Sequence, residues 1–311
     1  MADQITTTTE VDPAVGIFYE RTLLQPPFPK YVHAQFAQKY SIAAKSGNTI
    51  KMRRYSRFAA ATTPITEGIT PNGIKQSKVD LLATVSQYGD FVTITDVVDL
   101  TVEDPNIAIA VDRQSDQMQN TMDQLVRDTL ANSASVTTAV SGVASSQDIN
   151  ADDIRLVRQI LRANDADYIT GRIAAGTGQG TSPIRQAYIA IADTDLEDDL
   201  EQVSGFKHVV NYAAQSGVFE AEWGSVGNVR FLTTTQGYLA SSDYFVPFIG
   251  KQAYGIVDIG GGNAKSIIKG FGSSGTADPL NQRATVGWKM WQVARILNDL
   301  FIHNLKVTNM S

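Results

Sequence analysis

Lys45 to Pro71 reads KSGNTIKMRRYSRFAAATTPITEGITP, a basic strand followed by a long excursion with no strong apolar period. Successive side chains of a strand point to opposite sides. Ile50, Met52 and Arg54 therefore share one face, and Lys51, Arg53 and Tyr55 share the other. Cations stand on both. Beyond Arg57 the chain is rich in Ala and Thr and is punctuated by Pro64, Gly68, Pro71 and Gly73, and a strand pattern returns only at Val79 to Val85. Two strands separated by roughly twenty residues of this kind exceed what a simple connection needs, so the segment is expected to be an arm that lies on a neighbour.

Outside this stretch, composition sets the frame. A chain of 311 residues is at the upper limit for one hydrophobic core, which favours two subdomains. Its hydrophobic fraction of 43% is that of an ordinary globular protein rather than a disordered one. A net charge of -6 disfavours sequence-specific DNA binding, because any polyphosphate contact would need a local basic patch. With no cysteine there are no disulfides, thiolate nucleophiles or cysteine metal sites. The N-terminal MADQITTTTEVDP has no basic region leading into an apolar core, and no apolar run is long enough to cross a bilayer, so neither a signal peptide nor a membrane span is expected.

Along the chain, residues 1–42 combine Thr6 to Thr9 and Pro13, Pro26, Pro27 and Pro29 with scattered aromatics, and read as an extended arm. Ile107, Val111, Met118, Met122, Leu125, Val126 and Leu130 recur at three- and four-residue steps behind Asp104-Pro105, which predicts one long amphipathic helix. Asn150 is placed to cap a second helix running through Asn164. Ala187 to Ala192 reads as a buried strand leading into the acidic helix DTDLEDDLEQ, and Val229 to Thr233 and Tyr254 to Ile259 read as further strands. Gly171 to Pro183 and Gly260 to Gly275 are expected as glycine-rich surface loops. Val286, Trp288 and Met290 alternate before Asn298-Asp299, and Phe301, His303, Leu305 and Val307 after it, which suggests a terminal hairpin; a helix over Val293 to Leu300 is the alternative.

Signals for chemistry are weak. A phosphate loop fails, since Phe245 stands where the first glycine before Gly250-Lys251 is required. Gly176, Gly178 and Gly180 mimic a dinucleotide fingerprint, but Ser182-Pro183 interrupts the helix that should follow. The acidic group Asp193, Asp195, Glu197, Asp198, Asp199 and Glu201 has Asp198 where a calcium loop needs glycine and Ser204 where it needs glutamate; it reads as the first turns of a helix. His33, His208 and His303 lie far apart without metal-ligand spacing, and no G-x-S-x-G elbow is present. No catalytic, cofactor-binding or metal residue is assigned. The cationic run Lys45, Lys51, Arg53, Arg54 and Arg57 points to an acidic neighbour, with the other copies of a net-acidic chain the natural source.

Three blocks together resemble a known family: SGNTIKMRRY with TPITEGITP, QYGDFVTITDVVDLTVEDP, and YGIVDIGGG through DPLNQRATVGWKMWQVARILN. In this order and spacing they are similar to the major capsid proteins of tailed double-stranded-DNA bacteriophages, in particular the N-four-like podovirus branch. The resemblance runs from about Phe36 to Val307 and is less clear from Gly171 to Gly227. It implies an α+β chain with the Hong Kong 97-type capsid fold: an N-terminal arm (1–42), an extended loop (43–85), a peripheral domain (86–170) with a spine helix at 107–131, an axial domain (171–279), and a return to the peripheral domain (280–311).

The function this implies is a major capsid protein, with no enzymatic activity, that assembles into pentamers and hexamers and closes an icosahedral head around double-stranded DNA. Lys51, Arg53 and Arg54 are the expected interface cations, with Glu67, Asp96 and Asp99 as candidate partners. The other implied partners are portal, scaffold and decoration proteins, and packaged DNA contacted non-specifically; no cofactor and no membrane is implied. Localisation would be the virion, after assembly in the bacterial cytoplasm. The alternatives are a nanocompartment shell of the encapsulin type and a soluble α+β hydrolase.

Overall fold

The computed structural model describes residues 29–308 apart from 102–104, 141–147, 175–182, 214–216, 261–263, 274 and 276–277. In chain order the strands and helices are β1 (Gln38–Ile42), β2 (Thr49–Tyr55), β3 (Lys78–Thr84), β4 (Ser86–Thr95), α1 (Asp96–Thr101), α2 (Asn106–Ala131), β5 (Val136–Thr138) and α3 (Ala151–Ala163). They continue with β6 (Tyr188–Asp193), α4 (Glu197–Gln202), β7 (Phe206–His208), β8 (Glu222–Val226), β9 (Val229–Thr234), β10 (Tyr238–Ala240), β11 (Asp243–Ile249), β12 (Tyr254–Ile259), β13 (Lys265–Lys269), β14 (Arg283–Ile296) and β15 (Ile302–Thr308).

Two sheets make the body. The larger orders its strands β5-β15-β11-β6-β9-β8-β7, with β10 added on β11. At its centre all six residues of β6 are buried, because both faces of the sheet are covered. Tyr188, Ala190 and Ala192 join a core with Ile154, Val157 and Leu161 of α3. Ile189 and Ile191 point the other way, into a core with Val126 and Leu130 of α2. Strand alternation thus divides one apolar run between two helices.

The second sheet runs β1-β12-β14-β13, and β4 pairs along β14 from Thr95↔Arg283 to Ser86↔Gln292. The fourteen-residue β14 is its spine, taking β12 at Val293–Ile296 and β13 at Thr285–Lys289. On one face Val286, Trp288 and Met290 are buried. There Trp288 Nε1 donates to Gln117 Oε1 of α2 at 3.0 Å, while Gln117 Nε2 donates to Asp90 Oδ2 of β4 at 2.8 Å.

Local chemistry accounts for the helices. The Asn150 side chain accepts from the Asp152 and Asp153 amides, each at 2.9 Å, and so starts α3 at Ala151. Asp193 accepts from the Asp195 amide at 3.1 Å to open the acidic turn that becomes α4. The Asp104 start expected for α2 and the glycines at 176, 178 and 180 lie outside the described residues.

Three expectations are corrected. First, of the arm expected over 1–42, residues 1–28 lie outside the described residues, while the stretch from Val32 onward is built into the body. Val32 and His33 are buried, the His33 amide donates to Asp123 Oδ1 of α2 at 2.8 Å, and β1 pairs parallel with β12. Second, the span from Gly260 to Gly275 is not all loop: β13 lies within it, paired with β14 from Lys265↔Lys289 to Lys269↔Thr285. Third, β14 and β15 form no hairpin, nor is 293–300 an α-helix. The chain makes a single 3-10 turn at Asp299–Phe301 and crosses to the larger sheet, where β15 pairs with β11 and β5.

Candidate assembly interface

The basic stretch forms the antiparallel hairpin β2–β3, in register from Thr49↔Thr84 to Tyr55↔Lys78. Ile50 and Met52 turn inward, packing beside Ala83, Val85 and Val257 and rooting the hairpin on the second sheet. The opposite face is open and charged. Asp80 is at its centre, with Lys51 Nζ at 2.7 Å, Arg53 Nε at 3.4 Å and Lys78 Nζ at 3.7 Å. The hydrogen bond from Lys51 and the surrounding cations hold the Asp80 carboxyl below its ordinary 3.8.

Lys51 and Arg53 thus share an acid within their own hairpin, one that the sequence reading did not single out. It could have been found by folding Val79 to Val85 back on Ile50 to Tyr55, which sets Asp80 directly opposite Arg53. Arg54, on the inner face, lines a cleft of about 150 Å³ between hairpin and body with Tyr40, Gln252 and Asn298. Arg57 reaches Asp165 at 3.7 Å, both side chains being largely solvated. From Lys45 to Thr84 the hairpin has seven Lys/Arg and two acids, Glu67 and Asp80, so in a chain of net charge -6 the remainder carries -11.

Between the strands, residues 57–77 have no buried side chain. Ile65, Ile69 and Ile74 are 75%, 65% and 66% exposed, and around them Glu67 is the one charge between Arg57 and Lys75. Nothing lies within 4 Å of where a Cβ would stand at Gly68 or Gly73. Within one copy, Glu67, Asp96 and Asp99 are not brought to Lys51, Arg53 or Arg54. Glu67 is at the tip of the excursion. Asp96 and Asp99 are on α1 at the far end of β4, where Asp96 Oδ1 accepts from the Val97 amide at 2.9 Å.

A second exposed surface was not anticipated. Where β4, β14 and β13 run side by side, the face turned away from α2 is open. Phe91, Gly287 and Ile267 form a row across it. Gly287 lets the strands close up, since a Cβ there would be 2.7 Å from the Phe91 Cβ. Phe91 is 67% exposed, and next to the row Lys265 directly opposes Lys289, with Lys269 at the other end of β13. These three lysines have no ion pair among the described residues. Like charges paired across strands weaken a sheet, so the arrangement favours an anionic cover. At the end of β4, α1 is a six-residue helix with no buried residue, presenting Val97, Val98 and Leu100 to solvent.

A family model described as "Phage capsid protein" matches residues 78–301. No curated protein matches the sequence. Among solved structures, the capsid of Ralstonia phage GP4 superposes with a TM-score of 0.70 at 13% identity, covering 99% of this chain and 99% of that one. The head structure of Helicobacter pylori bacteriophage KHP40 gives 0.66 at 12% identity, covering 100% of both chains. The SrpI encapsulin of Synechococcus elongatus gives 0.59 at 8% identity, with 96% of this chain and 94% of that chain covered. At such identities the likeness shows a shared fold, the Hong Kong 97-type capsid fold.

Proposed function

The chain belongs to the phage capsid protein family, and from that premise we propose that it is a major capsid protein whose hairpin tip seats on the next copy to build an icosahedral head around phage DNA. The observation that carries this reading is the excursion from 58 to 77: a segment of exposed side chains that includes Ile65, Ile69 and Ile74, held out on a hairpin rooted in the body. Apolar surface of this kind gains free energy when a partner removes it from water.

The receiving surface in this reading is the open face of β4, β14 and β13. Ile65 and Ile69 would cover Phe91 and Ile267, and Glu67 would offset the opposed pair Lys265 and Lys289. A tip meeting a different surface on its neighbour is a head-to-tail contact, which closes into rings when the rotation between copies does. Pentamers and hexamers are such rings, and several modest contacts per subunit hold them by multivalency. Lys51, Arg53 and Arg54 belong to the same reading: on the outer hairpin face Lys51, Arg53 and Lys78 share the one acid Asp80, which leaves an excess of positive charge for an acidic neighbour, and Arg54 adds a cation on the inner face.

In this proposal the extended loop, peripheral and axial regions divide near 85, 170 and 279. Portal, scaffold and decoration proteins, and assembly in the host cytoplasm before residence in the virion, complete the reading.

Deleting Ala59 to Ser77 tests it. The expected product is a folded, soluble subunit that forms no shells in negative-stain microscopy or sedimentation. Particles like those of the intact chain would refute the role given to the hairpin.

A further inference from the structure

We propose that the cationic hollow between α3 and the β8–β9 turn is a binding site for phosphate-type oxyanions. The hollow holds about 390 Å³ and is lined by Arg155 and Arg158 of α3, Arg185 on the segment entering β6, and Lys207 of β7. Arg155 and Arg158 are three residues apart and so share one helix face. The lining contains no carboxylate. At its edge Asp152 Oδ1 takes Arg155 at 3.1 Å, while Arg158, Arg185 and Lys207 have no ion pair among the described residues.

Four cations converging on one hollow are an unusual concentration in a chain of net charge -6. Their mutual repulsion favours an occupant of opposite sign. Guanidinium groups match phosphate oxygens with two parallel N–H donors, and a lysine adds a point charge, so a compact, multiply charged anion satisfies donors arriving from several directions. The volume is in the range of small-ligand sites, about 300–1,000 Å³. The backbone keeps the space open: Gly227 has φ +59, and a Cβ there would stand 3.2 Å from Arg158 Nη1. A side chain at 227 would crowd the guanidinium that the anion needs. The proposal does not depend on the hairpin contact, because none of these residues belongs to β2–β3 or to the open face of β4, β14 and β13.

Tripolyphosphate titrated calorimetrically into the full chain, against sodium chloride of equal ionic strength, is the test. The expected result is saturable binding that is at least about tenfold weaker in the Arg185→Gln/Lys207→Gln variant. Both side chains are exposed, so this variant should keep the thermal midpoint of the unliganded parent. Lys39→Gln/Lys251→Gln, which removes the same charge at two exposed positions elsewhere, should bind within about twofold of the parent. Absence of saturation, or equal weakening by the two double variants, overturns the proposal. A short DNA duplex added as competitor identifies the natural source: displacement of tripolyphosphate assigns the site to backbone phosphates, and no displacement assigns it to free phosphate.

Discussion

His303 shows how one side chain ties stability to pH. It is buried on β15, its Nε2 is 2.7 Å from Thr137 Oγ1, and burial pushes its pKa below the ordinary 6.5. The folded protein therefore favours neutral imidazole, whereas the unfolded chain takes up a proton near 6.5. Between the lowered pKa and 6.5 the unfolded state binds more protons, so stability rises with pH across that window and levels off above it. Urea midpoints measured at a series of pH values should show this slope, and His303→Gln should reduce it. Neither burial nor the Thr137 contact was legible in the sequence, where His303 had only its place in an alternating run. Asp80 was overlooked for a related reason: it becomes the hairpin's central acid only once the register is known.

Elements built by local rules were read closely. Asn150 before an amphipathic stretch gave the start of α3, because an N-cap is decided by a side chain and amides two or three residues away. Asn150→Ala should cost about 0.5–2 kcal/mol, seen as a lower midpoint in chemical denaturation, and Asn150→Asp should restore most of it. The long helix, expected over 107–131, spans Asn106–Ala131. Strand partners were another matter. Alternation at Val286, Trp288 and Met290 marked a strand with one buried face, but it did not say that β15 would cross to a different sheet. β13 was hidden because all five of its residues are exposed and glycines flank it.

At the scale of the molecule, contact between copies rests on charge and apolar surface that one copy leaves uncovered. If Glu67 of one subunit meets Lys265 and Lys289 of the next, Glu67→Lys should abolish assembly by setting three cations together. Combining it with Lys265→Glu and Lys289→Glu should restore particles, read as recovery of the fast-sedimenting fraction. Normal shells from Glu67→Lys alone would sink the pairing, while leaving the deletion of 59–77 to test the hairpin itself. The buried ion pair of Arg230 with Glu222 serves the body differently. Arg230 also donates to Gly217 O at 2.6 Å and lies 4.4 Å from the centre of the Phe219 ring, so it ties the loop before β8 to the sheet beneath.

What the sequence determined by itself were features carried by neighbours in the chain: the helix periods, the cap at Asn150, the buried run of β6, the basic strand and the unpatterned excursion after it. Three ordered blocks also pointed to the family. Tertiary structure alone decided which strands share a sheet, that Lys51 and Arg53 close on Asp80, and that Phe91, Ile267 and three lysines form one open face. The reason is physical: turns and caps involve groups a few residues apart, whereas Ile267 meets the row of Phe91 only after β14 has come between them, and no local pattern encodes a contact made at that separation.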